Sequence, residues 1–155
     1  MSFFKSRGGD MALVRLVYVS RATKLFQPSS IKSLLATARR NNQNHQVTGL
    51  LCFNQHCFLQ CLEGPRDKVN ETFHRILSDP RHSHVEIVHF EYIEKREYVQ
   101  WNMGYLQDNA SIRALIQKHS QQEVFNPYEL SVTATLGILR DVRDDIYHAM
   151  VDASS

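Results

Sequence analysis

The chain is expected to adopt an α+β fold of the ferredoxin-like βαββαβ(β) type, on three observations. Val47 to Gly64, VTGLLCFNQHCFLQCLEG, reads as two apolar strands joined at Asn54-Gln55-His56, the pattern of a buried hairpin. Leu13 to Ser20, LVRLVYVS, is a strand that alternates two faces. Between and after these runs the apolar spacing changes to that of helices, giving strand, helix, strand, strand, helix, strand, and one more strand. The expected result is a five-stranded mixed sheet with two helices on one side and two C-terminal helices outside the core domain. The first and third strands are expected to be parallel neighbours at the sheet centre.

Each element has its own warrant. Residues 1–11 form a tail in which Gly8-Gly9 would break any helix. In the first strand, Leu16, Tyr18 and Ser20 share one face, and Arg15, Val17 and Val19 the other. Pro28 opens a helix whose apolar side holds Ile31, Leu34, Leu35 and Ala38. The next step along that side lands on Asn41 and Asn42, which also suit a polar cap beside a turn. The hairpin strands span roughly 47–54 and 57–63. Gly64-Pro65 starts a second helix, 65–78, with Val69, Phe73, Ile76 and Leu77 as its buried stripe and Arg75 beside it. Asp79-Pro80 stops it. Val85 to Tyr92 is the fourth strand and Trp101 to Leu106 the fifth, where Trp101 and Met103 share a face. Helices are expected over 110–119 and about 129–150, the latter striped by Ile138, Leu139, Val142, Ile146 and Met150. That pair must cover a surface, either the sheet's second face or another subunit. The organisation expected is a tail over 1–11, a domain over 12–107, and a helical extension over 108–155 for output or oligomerisation.

Composition narrows the classes of function. A chain of 155 residues, 43% hydrophobic and 22% charged, is one ordinary globular domain. A net charge of +2 gives no argument for nucleic acid or an anionic membrane. No apolar run approaches a membrane span, and the N-terminus lacks the pattern of a secretion signal. Cys52, Cys57 and Cys61 are odd in number and clustered in strands, which suggests reduced core thiols and a cytoplasmic protein. With His45 and His56 they match no zinc spacing, and alternation separates Cys52 from Cys57 and Cys61. Glu94 to Glu97 reads as exposed charge. No nucleophile–base pair or paired acidic site stands out, so no enzyme is expected.

Gln60 breaks the apolar run between Leu59 and Cys61. A buried carboxamide without partners costs about 1–3 kcal/mol, so something polar must meet it. Tyr18 on the first strand can reach the same face. A flat heteroaromatic ring such as a flavin would satisfy such a site. Its pyrimidine edge offers acceptors and a donor, and Asn and Gln match both. Leu34, Leu51, Phe58 and Ile76 supply apolar walls, and Arg75 with the Arg81-His82 pair can meet the diphosphate of FAD. A Gly-rich phosphate loop is absent.

These residues resemble the BLUF domains, blue-light sensors using FAD. The resemblance covers about 13–106 and is carried by RLVYVS (15–20), ARRNNQNHQVTGLL (38–51), FLQCLEG (58–64), ETFHRILSDPRH (71–82) and WNM (101–103). It implies that Tyr18 is the photoactive tyrosine and Gln60 the switching glutamine. Asn42 would hold the pyrimidine edge, with Asn41 beside it. Arg75, Asp79 and His82 would sit near the ribityl-phosphate end. Trp101 and Met103 would pass the signal outward. Asn102 stands where serine is common, which bears on lifetime and relay strength rather than on binding. The resemblance further implies a short BLUF protein in which two helices follow the domain and no enzymatic output module is fused. The expected partners are a separate signalling protein and further copies of the same chain, as a homo-oligomer, and the charge and hydropathy above give no role to nucleic acid or membrane. The rival readings are a flavin-free interaction adaptor on the same scaffold, and an RNA-binding sheet, which would need an open basic face.

Overall fold

The computed structural model describes residues 12–27, 29, 33, 36–37, 39–41, 46–105 and 109–154. Its elements are β1 (Leu13–Ala22), β2 (Thr48–Phe53), β3 (Cys57–Pro65), α1 (Arg66–Leu77), β4 (His82–Ile93), β5 (Trp101–Tyr105), α2 (Ala110–His119) and α3 (Val132–Ser154), with a 3-10 turn at Pro127–Glu129 before α3. Between β1 and β2 the described positions 33, 36–37 and 39–41 are helical.

Four strands form an antiparallel sheet, and β5 joins its β2 edge in parallel, giving the order β4-β1-β3-β2-β5. The expectation that β1 and β3 run parallel is overturned: they are central neighbours but antiparallel, with Tyr18 directly opposite Gln60. The hairpin is the reason. β2 runs with β1, and the turn at 54–56 reverses the chain before β3. Asn54 sets that turn by accepting from the backbone N–H of His56 and of Cys57, both at 2.8 Å. Gly49 lets β2 approach β3. It has φ +152°, and a Cβ there would lie 1.9 Å from the Cys61 carbonyl oxygen.

Alternation divides the core in two. Val14, Leu16, Tyr18, Leu51 and Leu62 face α1 with Val69 and Phe73. Val17, Val19, Leu50 and Leu59 face the other way, against Ile116 of α2 and Ile138, Leu139 and Val142 of α3. The C-terminal helices are therefore not outside the core. They seal the sheet's second face, because the inner strands carry apolar residues on both sides.

Some expectations shift with this packing. Leu77 is exposed, since α1 ends there and Thr72 takes the buried position facing the sheet. Met150 is also exposed, lying beyond the part of α3 that covers the sheet. β4 begins at His82, earlier than expected. Cys52 is not separated from Cys61: both lie on the α3 face, because the hairpin register pairs Leu50 with Cys61 and Cys52 with Leu59. Arg96 and Glu97 are not simply exposed charge. Arg96 donates to Gln46 O, Thr48 Oγ1 and Glu63 O, and the Glu97 N–H is bonded to Glu63.

Candidate functional site

The α1 face of the sheet encloses a cavity of about 250 Å³. Its floor is β1, β3 and β2, which supply Tyr18, Gln60, Phe58 and Leu51. One wall is the end of α1 and the turn after it, with Thr72, Arg75, Ile76, Asp79, Arg81 and His82. The facing wall carries Thr37 and Asn41, and Trp101 and Phe26 complete the lining. The volume is near the lower end of small-molecule pockets, about 300–1,000 Å³.

The centre of the site is a buried pair. The Tyr18 hydroxyl donates to Gln60 Oε1, and Gln60 is 4% exposed. This is the polar partner that the sequence demanded. Burial pushes the Tyr18 phenol well above its ordinary 10.0, and the negative charge of Asp79 adds to the effect. The phenol is therefore neutral at rest. Its ring is fixed by edge contact with Phe73 at 5.7 Å and by His82 at 6.3 Å.

His82 is a fixed wall. Its Nε2 lies 2.7 Å from the Ile76 carbonyl, which can only accept, so Nε2 carries the proton. Nδ1 lies 2.9 Å from the Ser20 hydroxyl. With both nitrogens held by protein, His82 contributes its ring to the cavity, packing 5.9 Å from Phe58. Asp79 turns toward Arg81, whose Nε lies 2.9 Å from its Oδ1. Desolvation opposes the Asp79 charge, but the bonds from Arg81 win and hold its carboxyl below the usual range. Arg75 is exposed at the rim, 3.3 Å from Thr72 Oγ1.

Of the residues expected from sequence, Tyr18, Asn41, Leu51, Phe58, Gln60, Arg75, Ile76, Asp79, His82 and Trp101 line this one cavity. Leu34 and Asn42 lie outside the described residues. For Met103 the backbone is placed, opposite Leu51 in the β2–β5 ladder. Thr37, Thr72 and Phe26 were not anticipated. Thr37 and Thr72 stand one helical turn before Asn41 and Arg75, a spacing that could have found them. Phe26 follows β1 in irregular chain and carries no such signal.

The cavity fits a flat heteroaromatic group. It is apolar over most of its lining, with a carboxamide pair, Asn41 and Gln60, and two arginines at the rim. Trp101 is 8% exposed, and among the described residues its indole N–H has no protein partner. A buried donor lining a cavity is the kind of group a ligand acceptor satisfies.

Comparison with known proteins decides the family. The model described as "BLUF: Sensors of blue-light using FAD" matches residues 13–104, more than half of the chain. The chain belongs to the BLUF family. The description of that family is of sensors of blue light that use FAD. Photoactivated adenylate cyclase subunit beta of Euglena gracilis is 36% identical to it over 99 residues, which is 63% of this chain and 12% of that protein. The blue light- and temperature-regulated antirepressor BluF of Escherichia coli (strain K12) is 33% identical over 86 residues, 56% of this chain and 21% of that one. The chain thus spans only a small part of these relatives. Among BLUF structures, the photo-activated state of BlsA matches with a TM-score of 0.75 at 26% identity, covering 84% of this chain and 94% of that one. The dark-state structure of BlrB matches with a TM-score of 0.62 at 28% identity, covering 81% and 96%. BlrP1 of Klebsiella pneumoniae, solved with FMN and cyclic diGMP, matches at 29% identity with a TM-score of 0.59, covering 68% of this chain and 29% of that one. Among the described residues no helix is long and apolar enough to cross a membrane.

Proposed function

We propose that this BLUF protein binds FAD in the cavity and acts as a light-driven switch, not a catalyst. In this reading Asn41 and Asn42 hold the pyrimidine edge, and Leu34, Leu51, Phe58 and Ile76 clamp the ring. Arg75 and Arg81 face the phosphates, with Asp79 orienting Arg81 and His82 closing the wall. The choice of FAD over FMN rests on those two rim cations, which suit a diphosphate better than a single phosphate.

A bound oxidised flavin supplies blue-light absorption and, once excited, a strong one-electron acceptor. The protein supplies the rest. Tyr18 gives up an electron. Its burial disfavours any charged form of the phenol, so the proton must leave as well. Gln60 Oε1 already accepts that proton's hydrogen bond. Gln60 would relay the proton toward the bound ring, and once the electron and the proton had both returned to Tyr18 the carboxamide would be left rotated or tautomerised. Its donor and acceptor then present a different pattern to the cavity, which reads out as a small red shift. In a buried network such a change of partner is costly enough to be felt elsewhere. Trp101 and the backbone of Met103 on β5 lie next in line, and the C-terminal helices beyond them carry the change to a separate signalling protein. A homo-oligomer in the cytoplasm is part of this reading. The oligomer is supported by the row of exposed apolar residues Ile87, Phe90 and Tyr92 along the edge strand β4, and the compartment by the free cysteines Cys52, Cys57 and Cys61.

The observation that carries the proposal is the buried Tyr18–Gln60 bond at the cavity floor. Purified protein should be yellow, release FAD on denaturation, and show a reversible red shift under blue light. Colourless protein that takes up no flavin would favour the adaptor reading instead.

A further inference from the structure

Gln60 and Glu63 are three residues apart on β3, so they point to opposite faces of the sheet. Gln60 lines the cavity, and Glu63 faces the side covered by α3. Glu63 is fully buried, and an isolated carboxylate there would be very costly. Four donors hold it. Arg15 Nε and Nη2 lie 2.8 and 2.7 Å from Oε2. The backbone N–H groups of Glu97 and Tyr98 lie 3.0 and 2.8 Å from Oε1.

Those two amides belong to residues 94–100, the link from β4 to β5, which runs directly into Trp101 at the cavity. Arg96 ties the link down again, donating to Glu63 O at 2.9 Å, Gln46 O at 2.8 Å and Thr48 Oγ1 at 2.7 Å. From the other side α3 grips the same residues. Arg143 Nη1 donates to Glu97 O at 3.1 Å, and its guanidinium lies 5.3 Å over the Tyr98 ring. Asp144 orients that guanidinium, with Nη2 2.8 Å from its Oδ1. The exposed Arg140–Glu97 pair, at 3.6 Å, adds little.

We propose that residues 96–98 are a coupling clip between the cavity and α3, with Glu63 and Arg143 as its anchors. The proposal rests on the photosensor reading above. Glu63 holds the clip with a carboxylate whose two oxygens are fixed by four donors, so it cannot turn to keep the Glu97 and Tyr98 bonds when β3 shifts. A displacement of β3 at Gln60, or of Trp101, therefore moves Glu97 and Tyr98. Arg143 passes that movement to α3 through a carbonyl bond and a ring contact.

The test is amide hydrogen exchange, read by mass spectrometry on the full flavin-loaded chain in darkness and under blue light. Parent, Arg143→Met and Glu63→Gln proteins are compared over Val132–Ser154. Arg143→Met should keep the full red shift, yet its light-minus-dark exchange in α3 should fall at least about fivefold, the low end of ordinary coupling between sites. Glu63→Gln should act in the same direction and raise dark exchange at Glu97 and Tyr98. If Glu63→Gln does not fold, Arg143→Met alone decides, since it lies away from the cavity and keeps an unbranched side chain. An undiminished α3 response in Arg143→Met overturns the clip, as does a parent that red-shifts with no response in α3. A parent without a red shift instead overturns the photosensor reading itself.

Discussion

The two faces of one sheet, made by the same strands, have been put to different uses. Toward α3, Val17, Val19, Leu50 and Leu59 meet Ile138 and Leu139 in a core with almost no exposure. Toward α1, alternate residues of those strands place Tyr18, Leu51 and Gln60 under a cavity. Close packing on one side holds the strands still, so that a phenol and a carboxamide on the other can be kept in register without filling the space above them. The stable face is the scaffold on which the reactive face is built.

The comparison can be broken most directly at the reactive face. Tyr18→Phe removes one hydroxyl from a buried ring, so flavin retention should be nearly unchanged while the light-induced red shift disappears. A normal shift, read by absorption after blue-light exposure, would remove Tyr18 as donor. On the sealed face Leu139→Ala should do the opposite. It should cost about 2–5 kcal/mol, as deletion of a fully buried leucine does, and leave the position of the flavin bands unchanged. Thermal unfolding beside the absorption spectrum checks both halves of that statement.

Acidity separates the faces more gently. Burial, with Asp79 nearby, keeps Tyr18 protonated beyond its ordinary 10.0, so the red shift should persist in alkali for as long as the fold does. Loss of the shift near pH 10.0 in folded protein would show that the phenol is not shielded. The smallest effect belongs to the clasp between α2 and α3. Desolvation opposes the Asp141 charge, but bonds from His119 and Lys118 win and hold its carboxyl below the ordinary 3.8. A lowered folded value means its contribution is present above 3.8 and is lost as the pH falls through that lower value. Asp141→Asn should cost about 1 kcal/mol or less near neutrality, with the difference from parent shrinking in acid, as urea titrations at several pH values would show.

Much of the site could be read from the chain because alternation is a strong signal. Tyr18 shares a face with Leu16, and Gln60 is the one carboxamide in an apolar strand, so their convergence needed only neighbouring strands. The direction of pairing did not follow from that, since a hairpin between the two strands reverses β3. Cys52 was misplaced for a related reason: its face depends on the pairing across the turn, not on counting along one strand. Arg96 and Glu97 looked like surface charge because their partner, Glu63, lies more than thirty residues away in sequence. Phe26 could not be found at all, because irregular chain has no period. His82 was expected toward phosphate, and only the positions of Ser20 and Ile76 show that both its nitrogens are taken.

The central claim is that the Tyr18–Gln60 bond is the switch. The light-minus-dark absorption spectrum of Gln60→Leu, recorded beside the parent, tests it most directly. Leucine fills the space but can neither accept the phenolic proton nor change its hydrogen bonds. The account predicts a bound flavin with a flat difference spectrum, and a red shift equal to the parent's would contradict it.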